Sequence, residues 1–143
     1  MISLEQVEAL LIDEEREVLH VYPDHLGFLT LGVGRLVDPR KGGGISRDES
    51  RYLLRNDTSK RLAQCEECFP WFAGLDHVRQ QVVLCMAFQL GTDGVARFVR
   101  AIAAIRIRDW ITAEIEMLDS DWHKQTPARC ERMAKIMRTG VWP

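Results

Sequence analysis

The chain has 143 residues, with 19 Lys and Arg against 21 Asp and Glu; 46% of residues are hydrophobic and 28% charged. That is about one domain of ordinary globular composition, and it excludes wholesale disorder. The near-neutral charge excludes the basic footprint of a nucleic-acid binder, and the longest apolar run, Val82 to Phe88, is far short of the roughly 18 residues of a membrane span.

Met1-Ile2-Ser3-Leu4-Glu5-Gln6 has no basic stretch before an apolar segment, so the expectation is a chain made in a cytoplasm without a signal peptide. Ser3 and Gln6 form a capping box, and Leu4, Val7, Leu10 and Leu11 recur at helical spacing, which predicts a first helix that breaks near Arg16. Val18 to Tyr22 is rich in β-branched and aromatic residues and ends at the turn signal Pro23-Asp24. Phe28 to Leu31 follows Gly27 and stops in Gly32-Val33-Gly34, which predicts two short strands around a compact turn.

Gly42-Gly43-Gly44 predicts a loop. Ser46 and Glu49 form a second capping box, opening a helix that carries Tyr52, Leu53 and Leu54 and runs to about Cys68. Pro70 interrupts, and Asp76 is placed to cap a helix through Val78, Val82, Cys85 and Phe88. Gly91-Thr92-Asp93-Gly94 is a helix stop, with helices expected at 95–106 and 109–119. Thr126 as N-cap and Pro127 at the first helical position start a last helix, which runs to Arg138 and ends at Gly140. The order predicts an α+β fold with its small sheet near the N-terminus.

Cys65 and Cys68 form a C-x2-C pair, but no second pair follows to complete a zinc site. Four reduced thiols are expected, with Cys85 buried and no metal bound. Charge is unevenly placed. Residues 1–20 carry Glu5, Glu8, Asp13, Glu14, Glu15 and Glu17 against Arg16, and residues 122–138 carry Lys124, Arg129, Arg132, Lys135 and Arg138 against Glu131. These are either two solvated helix faces or an acidic edge and a basic wall for an anionic polymer.

The stretch from Glu15 to Gly34 carries the chemistry. It places one carboxylate at a helix end, a second, Asp24, in the hairpin turn, and a hydroxyl, Thr30, on the returning strand. Two carboxylates facing each other are what glycoside hydrolysis needs, one protonated for the leaving oxygen and one ionised to direct water. Burial at the helix end would favour the protonated form there, and an open turn would not. Taken on spacing alone, a solvated turn with ordinary surface acids fits as well.

The residues around the acids carry a resemblance. Glu15, eight residues, Asp24, five residues, Thr30, inside Tyr22-Pro23-Asp24-His25-Leu26-Gly27-Phe28-Leu29-Thr30-Leu31-Gly32-Val33-Gly34, resembles the catalytic hairpin of the phage-type lysozymes, the endolysin family of the T-even phages. Met86 to Gly91 with Gly94, Val95, Ala96 and Phe98 is similar to the family's central helix and following turn. Trp122, Gln125, Thr126, Pro127, Arg129 and Arg132, and then Arg138 to Trp142, are similar to its C-terminal motifs. The match covers about residues 5–142.

The resemblance implies a single lysozyme-like catalytic domain over 1–143. A small N-terminal β-hairpin lobe (about 1–45) and a larger all-helical C-terminal lobe (about 46–143) would flank a cleft. It implies an inverting lysozyme, an endo-β-1,4-N-acetylmuramidase of phage or prophage origin, acting on bacterial peptidoglycan as a monomer without metal or organic cofactor. Glu15 takes the role of general acid, and Asp24 and Thr30 position the attacking water. The eight-residue spacing selects Glu15 over Glu14. Phe88, Gln89, Gln125, Thr126 and Arg138 match substrate-binding positions; core packing is the other reading of Phe88, and an N-cap that of Thr126. The enzyme would be made in the host bacterial cytoplasm and reach the cell wall beyond the inner membrane with the help of a holin.

Two rivals share the fold, a lytic transglycosylase and a non-catalytic peptidoglycan-binding module. Asp24 and Thr30 argue against the first, which needs no positioned water, and retention of all three polar residues argues against the second. The chain also departs from the family pattern. Where members often carry a His after the hairpin, paired with an Asp on the next helix, this chain has Arg35, and the matching acid is Asp57. A permanently charged Arg35–Asp57 pair is therefore expected.

Overall fold

The computed structural model describes residues 3–38, 40 and 42–143. Met1 and Ile2, at the start of the stretch read for a signal peptide, lie outside the described residues. The chain divides into two compact units, Met1–Leu53 and Leu54–Pro143.

The first unit begins with helix α1 (Leu4–Glu15), capped by the Ser3 hydroxyl, which accepts from the Gln6 N–H. The expected apolar stripe forms but does not become a core face. No residue of α1 is buried, and Leu4, Val7, Leu10, Leu11 and Ile12 are all exposed. Arg16 closes the helix at φ 61 and ψ 144, a region that side-chain-bearing residues rarely enter, and turns the chain into the sheet.

Strands β1 (Glu17–Pro23) and β2 (Leu29–Val33) form the expected hairpin, and β3 (Arg35–Leu36) adds an edge that the sequence pattern did not announce. The order β1-β2-β3 makes β2 central, and α1 packs against it. Register shifts in the hairpin: Val18 pairs with Gly32, but Tyr22 pairs with Thr30, so β1 bulges between them. The glycine loop is pinned back on the sheet, Gly43 N–H donating to Asp38 O and Gly44 N–H to Leu36 O. The Asp38 carboxylate, almost fully buried, pairs with Arg40.

Helix α2 (Arg47–Cys68) starts at the Ser46–Glu49 capping box. Here the expected ion pair is corrected. Arg35 pairs with Glu49, not Asp57; both its Nη atoms donate to the Glu49 carboxylate, at 2.5 and 2.9 Å, and its Nε donates to Gly44 O. The reason is local. Glu49 already faces back toward Ser46 to cap the helix, and the same carboxylate is then within reach of the strand that ends at Arg35.

The second unit is helical: the rest of α2, α3 (His77–Ala96), α4 (Val99–Arg106), α5 (Trp110–Leu118), α6 (Asp121–Gln125) and α7 (Pro127–Thr139). Asp76 caps α3 as expected, accepting from the Arg79 N–H. Gly91 breaks α3 at φ 74 and ψ 165, where a stop was expected, but helical backbone resumes beyond it, and the next helix starts at Val99 rather than near residue 95. Phe72, Val82, Val83, Met86, Val95, Met117, Trp122 and Met137 fill the core with Cys65 and Cys130. Cys85, expected inside, is exposed, as is Cys68, and all four cysteines are free. Burial pushes the Cys65 and Cys130 thiols up to about 11. No single helix among the described residues is long and apolar enough to cross a membrane.

The Ser46 backbone N–H and hydroxyl, followed by the Arg35 guanidinium, pull the Glu49 carboxyl from 4.5 down to about 2. A depressed folded-state value means the stabilisation is present above the unfolded value and is lost as pH falls through the folded one. Thermal melts should therefore show this contribution fading between pH 4.5 and about 2. Glu49→Gln should melt lower than wild type at neutral pH and converge on it at the acid end; a constant gap across that window would contradict the linkage.

Candidate active site

Three of the residues singled out in the sequence lie in the first unit. Glu15 is the last residue of α1, Asp24 opens the β1–β2 turn, and Thr30 lies on central strand β2. The turn is organised by Asp24 itself. Its Oδ1 accepts from Leu26 N–H at 2.9 Å and Phe28 N–H at 2.8 Å, while its backbone N–H donates to Phe28 O. An Asp in this place ties its side chain to the turn it initiates, so two backbone N–H groups hold the carboxylate.

Thr30 is 5% exposed, paired on one side with Tyr22 and on the other with Leu36. Its hydroxyl donates to Phe28 O at 3.2 Å, which uses the proton and leaves the oxygen as an acceptor. A hydroxyl in the central strand is a group with a fixed direction.

Glu15 is held differently from the expectation. It is exposed whereas Asp24 is half-buried, the reverse of the burial expected at the helix end. Gly34 leaves room for it. A Cβ built on Gly34, whose φ is +63, would lie 2.9 Å from Glu15 Oε2 and 3.3 Å from its Cδ. The carboxyl therefore rests on bare backbone at the end of β2, which only a glycine leaves open.

The other five candidates lie in the second unit and do not form one cluster. Gln89, from α3, is a hub: its Oε1 accepts from Trp122 Nε1 at 3.0 Å and from Arg129 Nη1 at 2.9 Å, and its Nε2 reaches Thr126 Oγ1 at 3.5 Å. Thr126 occupies the N-cap position of α7 without capping it; its hydroxyl donates to Trp122 O instead. Arg138 is engaged by Glu114, Nε to Oε2 at 2.8 Å. Gln125 lines a cavity of about 640 Å³ with Phe98, Arg97, Arg100, Glu116 and Trp122. Phe88 is 46% exposed, on the wall of a smaller pocket, which decides against plain core packing.

Arg129, read from sequence as a solvated or salt-bridged face, is the functional-looking residue that the pattern undervalued. Its signal was the buried-pattern glutamine on α3, which needed a donor from elsewhere. Among the described residues no group of three or more His, Cys, Asp or Glu side chains is arranged to hold a metal ion.

A small three-stranded antiparallel sheet near the N-terminus followed by a helical unit is an α+β, lysozyme-like fold. No protein-family model matches the chain. It is 26% identical over 161 residues to "Probable T4-type lysozyme 1" of Dictyostelium discoideum, covering 94% of this chain and 95% of that protein. It is 27% identical over 154 residues to "Probable T4-type lysozyme 2" of the same organism, covering 90% and 91%. It is also 27% identical over 147 residues to "Pre-baseplate central spike protein Gp5" of Enterobacteria phage T4, covering 85% of this chain but 26% of that protein. Over nearly all of its length the chain is similar to these T4-type lysozymes.

Gly34→Ala tests the seat of Glu15. The added Cβ would enter the space now taken by the carboxyl, and Ala at positive φ costs roughly 1–2 kcal/mol. A misplacement on the order of 1 Å costs up to ~100-fold in rate, so wall-clearing activity should fall far more than stability does. Activity that survives in proportion to folded protein would show that the seat is unnecessary.

Proposed function

We propose that the protein is a peptidoglycan hydrolase of the lysozyme type, an endo-β-1,4-N-acetylmuramidase. It cuts the bond between N-acetylmuramic acid and N-acetylglucosamine in the bacterial cell wall. The observation that carries this reading is the Glu15 carboxyl seated on Gly34, on the same small sheet that holds Asp24 in the turn and Thr30 in the central strand. The names of the Dictyostelium relatives support the same reading.

In this mechanism protonated Glu15 donates its proton to the glycosidic oxygen as the bond to the anomeric carbon breaks. Its exposure gives a polymer access to the acid. Asp24 takes one proton from the attacking water, and Thr30 Oγ, its own proton committed to Phe28 O, accepts a hydrogen bond from the water's other O–H, which stays on the product hydroxyl. Water then adds to the face opposite the leaving group, and the anomeric centre inverts. Phe88, Gln89, Gln125, Thr126 and Arg138 bind substrate in this reading. No step calls for a metal or an organic cofactor. A role in phage or prophage lysis, with the chain leaving the host cytoplasm through a holin and working as a monomer on the wall, is part of the same proposal.

Glu15→Gln should fold normally and lose turnover, because an amide carries no acidic proton, whereas Glu14→Gln should clear a wall suspension at close to the wild-type rate. The reverse result in a turbidity assay would move the acid to Glu14.

The stereochemistry is a separate test. Proton NMR of the first product formed from a defined muropeptide oligomer should show the α-anomer, with reducing ends in the mass spectrum. Early β-anomer would exclude inversion, and anhydro ends would show that no water is added.

A further inference from the structure

The pocket beside Phe88 is not explained by the three acid-hairpin residues. It has a volume of about 240 Å³ and is lined by Asp57, Lys60, Arg61 and Gln64 from α2 and by Phe88 from α3. The four α2 residues fall at i, i+3, i+4 and i+7, so they form one face of the helix over a turn and more. The face is not simply a solvated one. Arg61 is half-buried while most of the surrounding helix is exposed, and its Nη1 donates to Gln64 Oε1 at 2.8 Å. That bond holds the guanidinium in the pocket wall and leaves its other donors for a ligand. Among the described residues no carboxylate forms an ion pair with Arg61 or Lys60.

We propose that this pocket binds a single saccharide ring bearing a carboxylate, the ring lying on the exposed face of Phe88 and the carboxylate on Arg61 and Lys60. The inference rests on the peptidoglycan reading above and deepens it by naming which sugar unit the second unit takes. Size sets the first limit: at about 240 Å³ the pocket is below the ~300–1,000 Å³ that encloses a whole small molecule, so it takes one ring or one charged group of a longer chain. Chemistry sets the second. Two cations face one acid, Asp57, so the lining favours an anion, and a planar guanidinium with free donors matches a carboxylate. An aromatic face exposed in the middle of a core helix supplies the apolar platform that a sugar's C–H face needs, while Asp57 and Gln64 offer acceptors for its hydroxyl or amide groups. In peptidoglycan that carboxylate has two sources, the lactyl group of muramic acid and the peptide attached to it.

The test is an NMR titration of the full ¹⁵N-labelled chain with three probes, following the Arg61 Nε–H, the Gln64 side-chain amide and the Phe88 backbone amide. N-acetylglucosamine carries no carboxylate, N-acetylmuramic acid carries the lactyl one, and a muramoyl dipeptide carries only peptide carboxylate. Losing a charge-assisted hydrogen bond weakens binding by about tenfold or more, so Arg61→Ala should weaken binding of an acidic probe by that factor and leave N-acetylglucosamine unchanged. Phe88→Ala should weaken all three. Tighter binding of N-acetylmuramic acid than of N-acetylglucosamine assigns the carboxylate to the lactyl group; tighter binding of the dipeptide alone assigns it to the peptide. No shift at these three residues with any probe, or equal binding of all three that ignores Arg61→Ala, overturns the proposal. None of the probes contains the bond between two sugars. A chain that clears cell walls without these shifts therefore loses the subsite and keeps the hydrolase reading, and one that shows the shifts without clearing walls does the opposite.

Discussion

The helical unit depends on one half-buried guanidinium. Arg79, in the first turn of α3, is 11% exposed, and its Nε and Nη2 donate to Met137 O and Arg138 O at the end of α7, at 2.8 and 3.0 Å. Its Nη1 donates to Asp76, the cap of α3, at 2.7 Å, and its Cζ lies over the Trp110 ring on α5, 3.9 Å from the ring centre. One side chain thus satisfies the terminal carbonyls of one helix, sits against the cap of another and stacks on a third. Gly140 completes the arrangement, since a Cβ there would fall 2.7 Å from Arg79 Nη1. Burial pushes the Asp76 carboxyl up, but the hydrogen bonds from Arg79 and its charge outweigh it and hold the group below its ordinary value.

A second polar anchor lies further along the same helix. Gln89 collects Trp122 from α6 and Arg129 from α7 on a single oxygen. Between Arg79 and Gln89, α3 presents Val82, Val83, Met86 and Ala87 to the core. The helix is therefore fixed at both ends by directional bonds and along its middle by packing. That combination holds Phe88 outward while its neighbours on either side turn in, which is why an aromatic ring in an apolar run ends in a pocket wall.

The first unit works on a smaller scale. Its sheet has three strands, and its helix buries nothing, so backbone and side-chain hydrogen bonds in the turn, the glycine loop and the Arg35–Glu49 pair carry much of the order. Asp24 on such a scaffold has a fixed direction without a deep core beneath it. The cost is visible at Arg16, held in a conformation that favours glycine one residue after Glu15.

Features made by neighbours in the chain were legible without coordinates. Ser3, Ser46 with Glu49, and Asp76 announce helix starts, and Asp24 with Gly27 announces the turn, because each acts over four residues or fewer. The same locality makes the Glu15–Asp24–Thr30 spacing readable, since a helix end and a hairpin leave little freedom between them. Choices between equivalent partners were settled only in three dimensions. Arg35 had acids available on the following helix, and the one it took was the one already turned back by its capping bond. Cys85 and the apolar face of α1 have the composition of buried groups and are exposed, because hydrophobic periodicity defines a face but not what will cover it. The sequence determined the local elements and the acid-hairpin motif; tertiary structure decided burial, ion-pair partners and the Arg79 and Gln89 hubs, since those join residues whose separation along the chain carries no signal of contact.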